Sequence, residues 1–153
     1  MTLLFLGVGN LYRADDGVGP LLAQKLADDK KLIKLGVDVS PHSGEGVSLM
    51  HLWEGADKVV IVDAMKSGGK LGSVHRFDAM AQTLNHGVFR YSSHLFGLAE
   101  ATEMARALGK LPKAMIIYGI EGIEFTFGAA MSPKVAAQLP KLEKAVRKEF
   151  GVG

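Results

Sequence analysis

Four residues of this sequence have side chains and settings that suit chemistry, and they are spread over most of the chain. Asp15 and Asp16 lie side by side in a glycine-rich stretch, GVGNLYRADDGVG, at residues 7–19. Asp63 ends the apolar run KVVIVD, and His94 follows Ser92-Ser93. A carboxylate at the end of a buried strand has no satisfied place in a core unless it meets a donor or a cation. A histidine at a helix start faces the positive end of the helix dipole, which keeps the imidazole neutral and able to ligate. Two carboxylates and one neutral imidazole can move protons, and together they suit a divalent ion that retains open positions.

A glycine loop after a strand more often cradles a phosphate, but that reading fails at particular positions. The third glycine of the dinucleotide-binding fingerprint would fall at Tyr12, and no Gly-Lys-Ser/Thr follows. Asp15 and Asp16 would instead repel a phosphate. Helix capping is the plain role for one of the two aspartates, although a cap requires neither the second aspartate nor Gly7 and Gly9.

Apolar runs at residues 3–7, 37–39, 58–63 and 114–119 predict strands, and residues 73–77 predict an added, antiparallel one. Helical spacing covers 17–29, 47–54 and 94–108, and a last helix runs from the Ser132-Pro133 start to about residue 150. The alternation predicts one α/β domain over 1–153, with a mostly parallel sheet and helices on both faces. With strand order 2-1-3, Asp16 and Asp63 would face each other across the crevice at the strands' carboxyl ends, and His94 could reach it.

The bulk numbers set outer limits. A net charge of +2 in 153 residues is too small to argue for nucleic acid. The absence of cysteine excludes a disulfide scaffold, a zinc ribbon and a thiol nucleophile, and suits the cytoplasm. No apolar stretch approaches the ~18 residues of a membrane span. The N-terminal MTLLFL reads as the first strand, not as a signal peptide.

Three motifs resemble those of the hydrogenase maturation proteases: GVGNLYRADDGVG at 7–19, VIVDAM at 60–65 and SSHLFGLAEA at 92–101. Gly119-Ile120-Glu121 also sits in a family-like setting, and the likeness spans almost the whole chain. The resemblance implies a three-layer α/β/α sandwich with a small, mostly parallel twisted sheet. It implies an endopeptidase that removes the C-terminal extension of a nickel–iron hydrogenase large-subunit precursor after nickel insertion. The nickel would arrive in that precursor, and the metal-contacting and catalytic positions carry over to Asp16, Asp63 and His94. Cleavage would use aspartate-activated water without a covalent intermediate, in a cytoplasmic monomer that binds neither nucleic acid nor membrane. Which carboxylate serves as base, and whether nickel polarises the bond or only marks the substrate, stay open. A second reading keeps the same trio in a non-catalytic nickel-sensing adaptor for the same precursor.

The remaining polar residues have plainer accounts. His42 and Glu45 border the expected crevice and are held in reserve. His51, His75, His86 and Asp38 read as surface or packing residues, and Met50, Met65, Met80, Met104, Met115 and Met131 as core. Arg90-Tyr91 is either a substrate contact or an exposed loop.

Overall fold

The structure is a computed structural model that describes residues 1–85, 89 and 94–153. The apolar runs become three nearly fully buried strands: β1 (Leu3–Val8), β3 (Lys58–Met65) and β5 (Met115–Glu121). Both of their faces are covered, which is why aliphatic side chains follow one another without alternation. The strands β2 (Val37–His42) and β4 (Val74–Asp78) form the edges and carry polar residues. The order is β2-β1-β3-β5-β4, parallel except for β4, which pairs antiparallel with β5.

Helices α1 (Val18–Leu26), α2 (Lys30–Leu35), α5 (Pro133–Ala136) and α6 (Leu139–Glu149) cover one face. There Leu22, Leu32 and Leu142 meet Phe5, Val60 and Ile116. Helices α3 (Gly46–Trp53) and α4 (Leu98–Ala107) cover the other face, where Leu49, Trp53 and Leu98 meet Leu6, Ile61 and Ile117. Burying side chains of this size contributes roughly 1.5–3 kcal/mol each. The result is the expected three-layer α/β/α sandwich.

Several elements differ from expectation. The 17–29 helix is preceded by a 3₁₀ turn, Ala14–Gly17, and is followed by the separate α2. Asp29 caps α2 by accepting from the N–H groups of Lys31 and Leu32 at 3.0 and 3.1 Å, and Gly36 ends it at φ +79°. The expected 94–108 helix begins only at Leu98. The last helix is two, and Ser132 spends its side chain elsewhere instead of capping α5. Met65 and Met115 are core and Met50 and Met131 pack at its margin, but Met80 and Met104 are exposed. His86 and the pairs Arg90-Tyr91 and Ser92-Ser93 lie outside the described residues.

One close contact sets the position of the loop after β1. A Cβ at Gly7 would lie 2.0 Å from the Gly19 carbonyl oxygen, and a Cβ at Gly19 would lie 2.3 Å from the Val8 oxygen and 2.6 Å from the Val62 oxygen. The first turn of α1 therefore rests directly on the backbones of β1 and β3. Gly19→Ala should destabilise by about 2–3 kcal/mol, although alanine is the better helix former by ~1 kcal/mol. Urea unfolding of the purified variant checks this; unchanged stability would show that the backbones have room to separate.

Candidate active site

Paired strands deliver the two candidate carboxylates to one place. β1 and β3 run in register from Leu3↔Lys58 to Gly7↔Val62, so the 3₁₀ turn after β1 and the end of β3 meet at the sheet's carboxyl edge. Asp16 lies in that turn and Asp63 near the end of β3, and each is only 5% exposed. Asp16 Oδ2 accepts one bond, from the Asn10 N–H at 2.9 Å. Burial raises the Asp16 pKa, against that bond and the nearby Arg13 charge. Asp63 is pushed well above the usual carboxylate range, first by burial and then by the negative charge of Asp16; only the Ala64 N–H opposes this. The two groups thus repel each other across a dry edge. Asp63 is the one pushed further toward keeping its proton.

Asp15, one residue earlier, has the opposite environment. It is fully buried. Its Oδ2 accepts from the N–H groups of Ile123 and Glu124 at 2.9 and 3.0 Å and from Ser132 Oγ at 2.8 Å, and its Oδ1 accepts from the Ser132 N–H at 2.7 Å. Burial raises its pKa, but the four bonds together outweigh this and hold it below the usual value. Neither aspartate caps α1 as the sequence suggested; Asp15 staples a loop more than a hundred residues away. Ala14 pays for this local geometry with a left-handed φ of +51°. Gly9, at φ +138°, leaves space that a Cβ would take from the Asp16 carbonyl, 2.0 Å away.

Glu121 repeats the staple on the neighbouring strand. It pairs in register with Met65, is 1% exposed, and accepts from Ser67, through the N–H at 2.9 Å and through Oγ.

His94 arrives by another route. It precedes α4, so the helix dipole does not act on it as the sequence suggested. Its segment is tied to α3 by the Gly46 N–H donating to the Phe96 oxygen at 2.9 Å. It lies close enough to His42, at the end of β2, for its charge to help lower the His42 pKa, after burial and against Glu45. A groove of about 390 Å³ runs along this edge and has both Asp16 and His42 in its wall, with Asn10, Leu11 and Ser43. Asp16 and Asp63 are therefore brought together, and His94 sits beside His42. Among the described residues, no three Asp, Glu, His or Cys side chains converge to form a metal-binding group.

The reserve residues are occupied. Glu45 caps α3, accepting from the Val47 and Ser48 N–H groups at 2.7 and 3.0 Å. His42 Nδ1 accepts from the Gly44 N–H at 2.9 Å, so Nε2 carries the proton and donates to Ser48 Oγ at 2.9 Å. This Ser–His pair is in the wrong tautomer for a base to activate the hydroxyl. His51, His75 and Asp38 are exposed.

A family model described as hydrogenase maturation protease matches residues 25–149. The chain belongs to the hydrogenase maturation protease family. It is accordingly an endopeptidase, a hydrolase. The family model begins after the Asp15-Asp16 turn, so the placement of that turn rests on the geometry above. Among similar proteins, the hydrogenase expression/formation protein HupD of Thiocapsa roseopersicina is 28% identical, over 98% of this chain and 69% of its own. The hydrogenase 2 maturation protease of Escherichia coli K12 is 27% identical, over 99% and 94%. The fold matches the solved structure of the hydrogenase maturating endopeptidase HybD from E. coli, at TM-score 0.76 and 23% identity over 99% and 94% of the two chains.

Two substitutions separate the buried aspartates. Asp63→Asn should stabilise this family member at neutral pH by at least about 1 kcal/mol, because it removes a dry carboxyl whose ionisation opposes folding. The folded-state pKa of Asp63 is raised. Wild-type stability should therefore fall as pH rises from the ordinary carboxylate range through that raised value, and the variant should lack this slope. Asp15→Asn should destabilise by about 2–4 kcal/mol, since an amide offers one acceptor oxygen to four donors. Asp15's pKa is lowered, so its contribution is present above the ordinary carboxylate value and is lost as pH falls through the lowered one. Thermal unfolding of both variants across pH 3–8 checks the opposite signs.

Proposed function

We propose that this protease removes the C-terminal extension of a nickel–iron hydrogenase large-subunit precursor after nickel has been inserted, acting in the cytoplasm as a monomer. The nickel belongs to the precursor and is read as part of the substrate. Asp16, Asp63 and His94 are the residues proposed to meet it, since carboxylate oxygens and an imidazole suit a divalent first-row ion. His94 sits beside His42, and among the described residues no three Asp, Glu, His or Cys side chains form a ready metal-binding group, so the substrate's own ion is what would draw the three onto one centre.

The observation that carries this reading is the pair Asp16 and Asp63: buried, mutually repelling, each with few donors, and set at the carboxyl edge where β1 and β3 diverge to opposite connections. Two such carboxylates can divide the work of peptide hydrolysis, one taking a proton from water while the other supplies one to the departing amine. The precursor's nickel can add polarisation of the scissile carbonyl. A covalent route is disfavoured, because the chain has no cysteine and the Ser48–His42 pair points its proton the wrong way.

Asp16→Asn and Asp63→Asn should each slow cleavage of a nickel-loaded precursor at least ~100-fold, as expected for loss of a positioned acid or base. His94→Ala should lose the preference for nickel-loaded over nickel-free precursor. Gel-resolved processing of purified precursor reads all three variants. Wild-type rates in both aspartate variants would remove the pair from the mechanism. A wild-type chain that binds precursor and never cuts it would favour the adaptor reading.

A further inference from the structure

Beside the groove, three large apolar side chains stand in solvent where a folded chain ordinarily places polar ones. Tyr12 is 68%, Ile123 61% and Phe127 71% exposed. The Tyr12 and Phe127 rings lie 6.3 Å apart at 43°. They come from segments over a hundred residues apart in sequence, and the backbone locks those segments together. The Gly128 N–H donates to the Tyr12 oxygen at 2.8 Å, and Arg13 Nε donates to the Phe125 oxygen at 3.2 Å. Asp15 holds Ile123, Glu124 and Ser132 from beneath. The patch is also continuous with the site. Leu11, next to Tyr12, lines the groove that Asp16 lines, and Asp15, which anchors the Ile123 end, is bonded in sequence to Asp16.

We propose that Tyr12 and Phe127, with Ile123, are specificity-determining residues that grip an apolar side chain of the precursor close to the bond that is cut. The inference rests on the proposed function, since it takes the occupant to be the precursor polypeptide. An endopeptidase must hold a stretch of extended chain in a fixed register, and a nonpolar rim beside the carboxylates does this by burying a side chain of that stretch. Aromatic rings supply contact area with few torsions to freeze. Here the rim is already fixed by its backbone bonds, so little further ordering opposes binding. Isolated apolar residues on a surface need no explanation, but a ring pair and an exposed isoleucine on two segments stapled to the turn that carries Asp16 offer apolar area suited to a partner.

The test uses the full chain and nickel-loaded precursor. Tyr12→Ala combined with Phe127→Ala should raise KM about tenfold or more while kcat stays within about twofold, as for truncated interface anchors. The melting temperature should not move, because both rings are exposed. Tyr12→Phe and Phe127→Tyr should restore the wild-type KM. A second measurement is independent of cutting: precursor affinity for the Asp63→Asn chain, by titration, should weaken by the same factor when the two alanines are added. An unchanged KM and affinity, or a fall in kcat at constant KM, would overturn the proposal. Failure of the proposed function has a different signature, namely wild-type cleavage by the Asp16 and Asp63 variants, and the affinity titration reads the rim in that case too.

Discussion

The architecture of the site depends on how hydrogen-bond donors are shared among four buried carboxyls at one edge of the sheet. Asp15 and Glu121 are saturated by backbone N–H and serine donors, and they behave as structural staples. Among the described residues, Asp16 has the Asn10 N–H and Asp63 the Ala64 N–H as donors, and each has the other's charge nearby. Burial raises the pKa of Asp16 and of Asp63, whereas at Asp15 the bonds from four donors outweigh it. Adjacent residues in the chain, Asp15 and Asp16, fall on opposite sides of that division because a 3₁₀ turn points one inward to the distant loop and the other toward the crevice.

That turn is held by backbone contact and not by side-chain packing. The Gly7–Gly19 approach and the absent Cβ at Gly9 let α1 begin almost on top of β1. The strands β1 and β3 are themselves fixed by burial on both faces, so the two carboxylates inherit their spacing from the sheet register. The loop at 122–132 is added through Asp15, and the segment holding His94 through Gly46 and Phe96. The rigid parts thus converge on the Asp16–Asp63 pair, and the imidazole comes from a separately anchored segment.

Much of this was legible in the sequence. Three strands were visible because aliphatic runs buried on both faces leave no competing pattern, and Asp63 stood out as the carboxylate at the end of such a run. Strand ends extended beyond the apolar residues, since β-ladder pairing continues through Pro41, His42 and Glu121 once the neighbouring strand is in place. Helix α2 was missed although its signals were present: Asp29 as cap and Gly36 as terminator were masked by the charge run around Lys30 and Lys31. The staple that Asp15 makes could not be read from sequence, because the partners that satisfy it lie at positions 123–132. The late start of α4 was hidden for a similar reason: Phe96 is tied to Gly46, a tertiary bond that helical spacing does not register.

The edges of the sheet carry one more consequence. A foreign strand can lengthen a sheet only along an uninterrupted row of outward amides. On the β2 side, Pro41 breaks that row, since it has no amide hydrogen to offer. On the β4 side, the chain has turned back antiparallel, and His75 and Arg76 stand exposed along it. An endopeptidase is repeatedly close to extended chain segments able to add as an extra strand. With both borders blunted, such a segment is discouraged from fusing with the sheet.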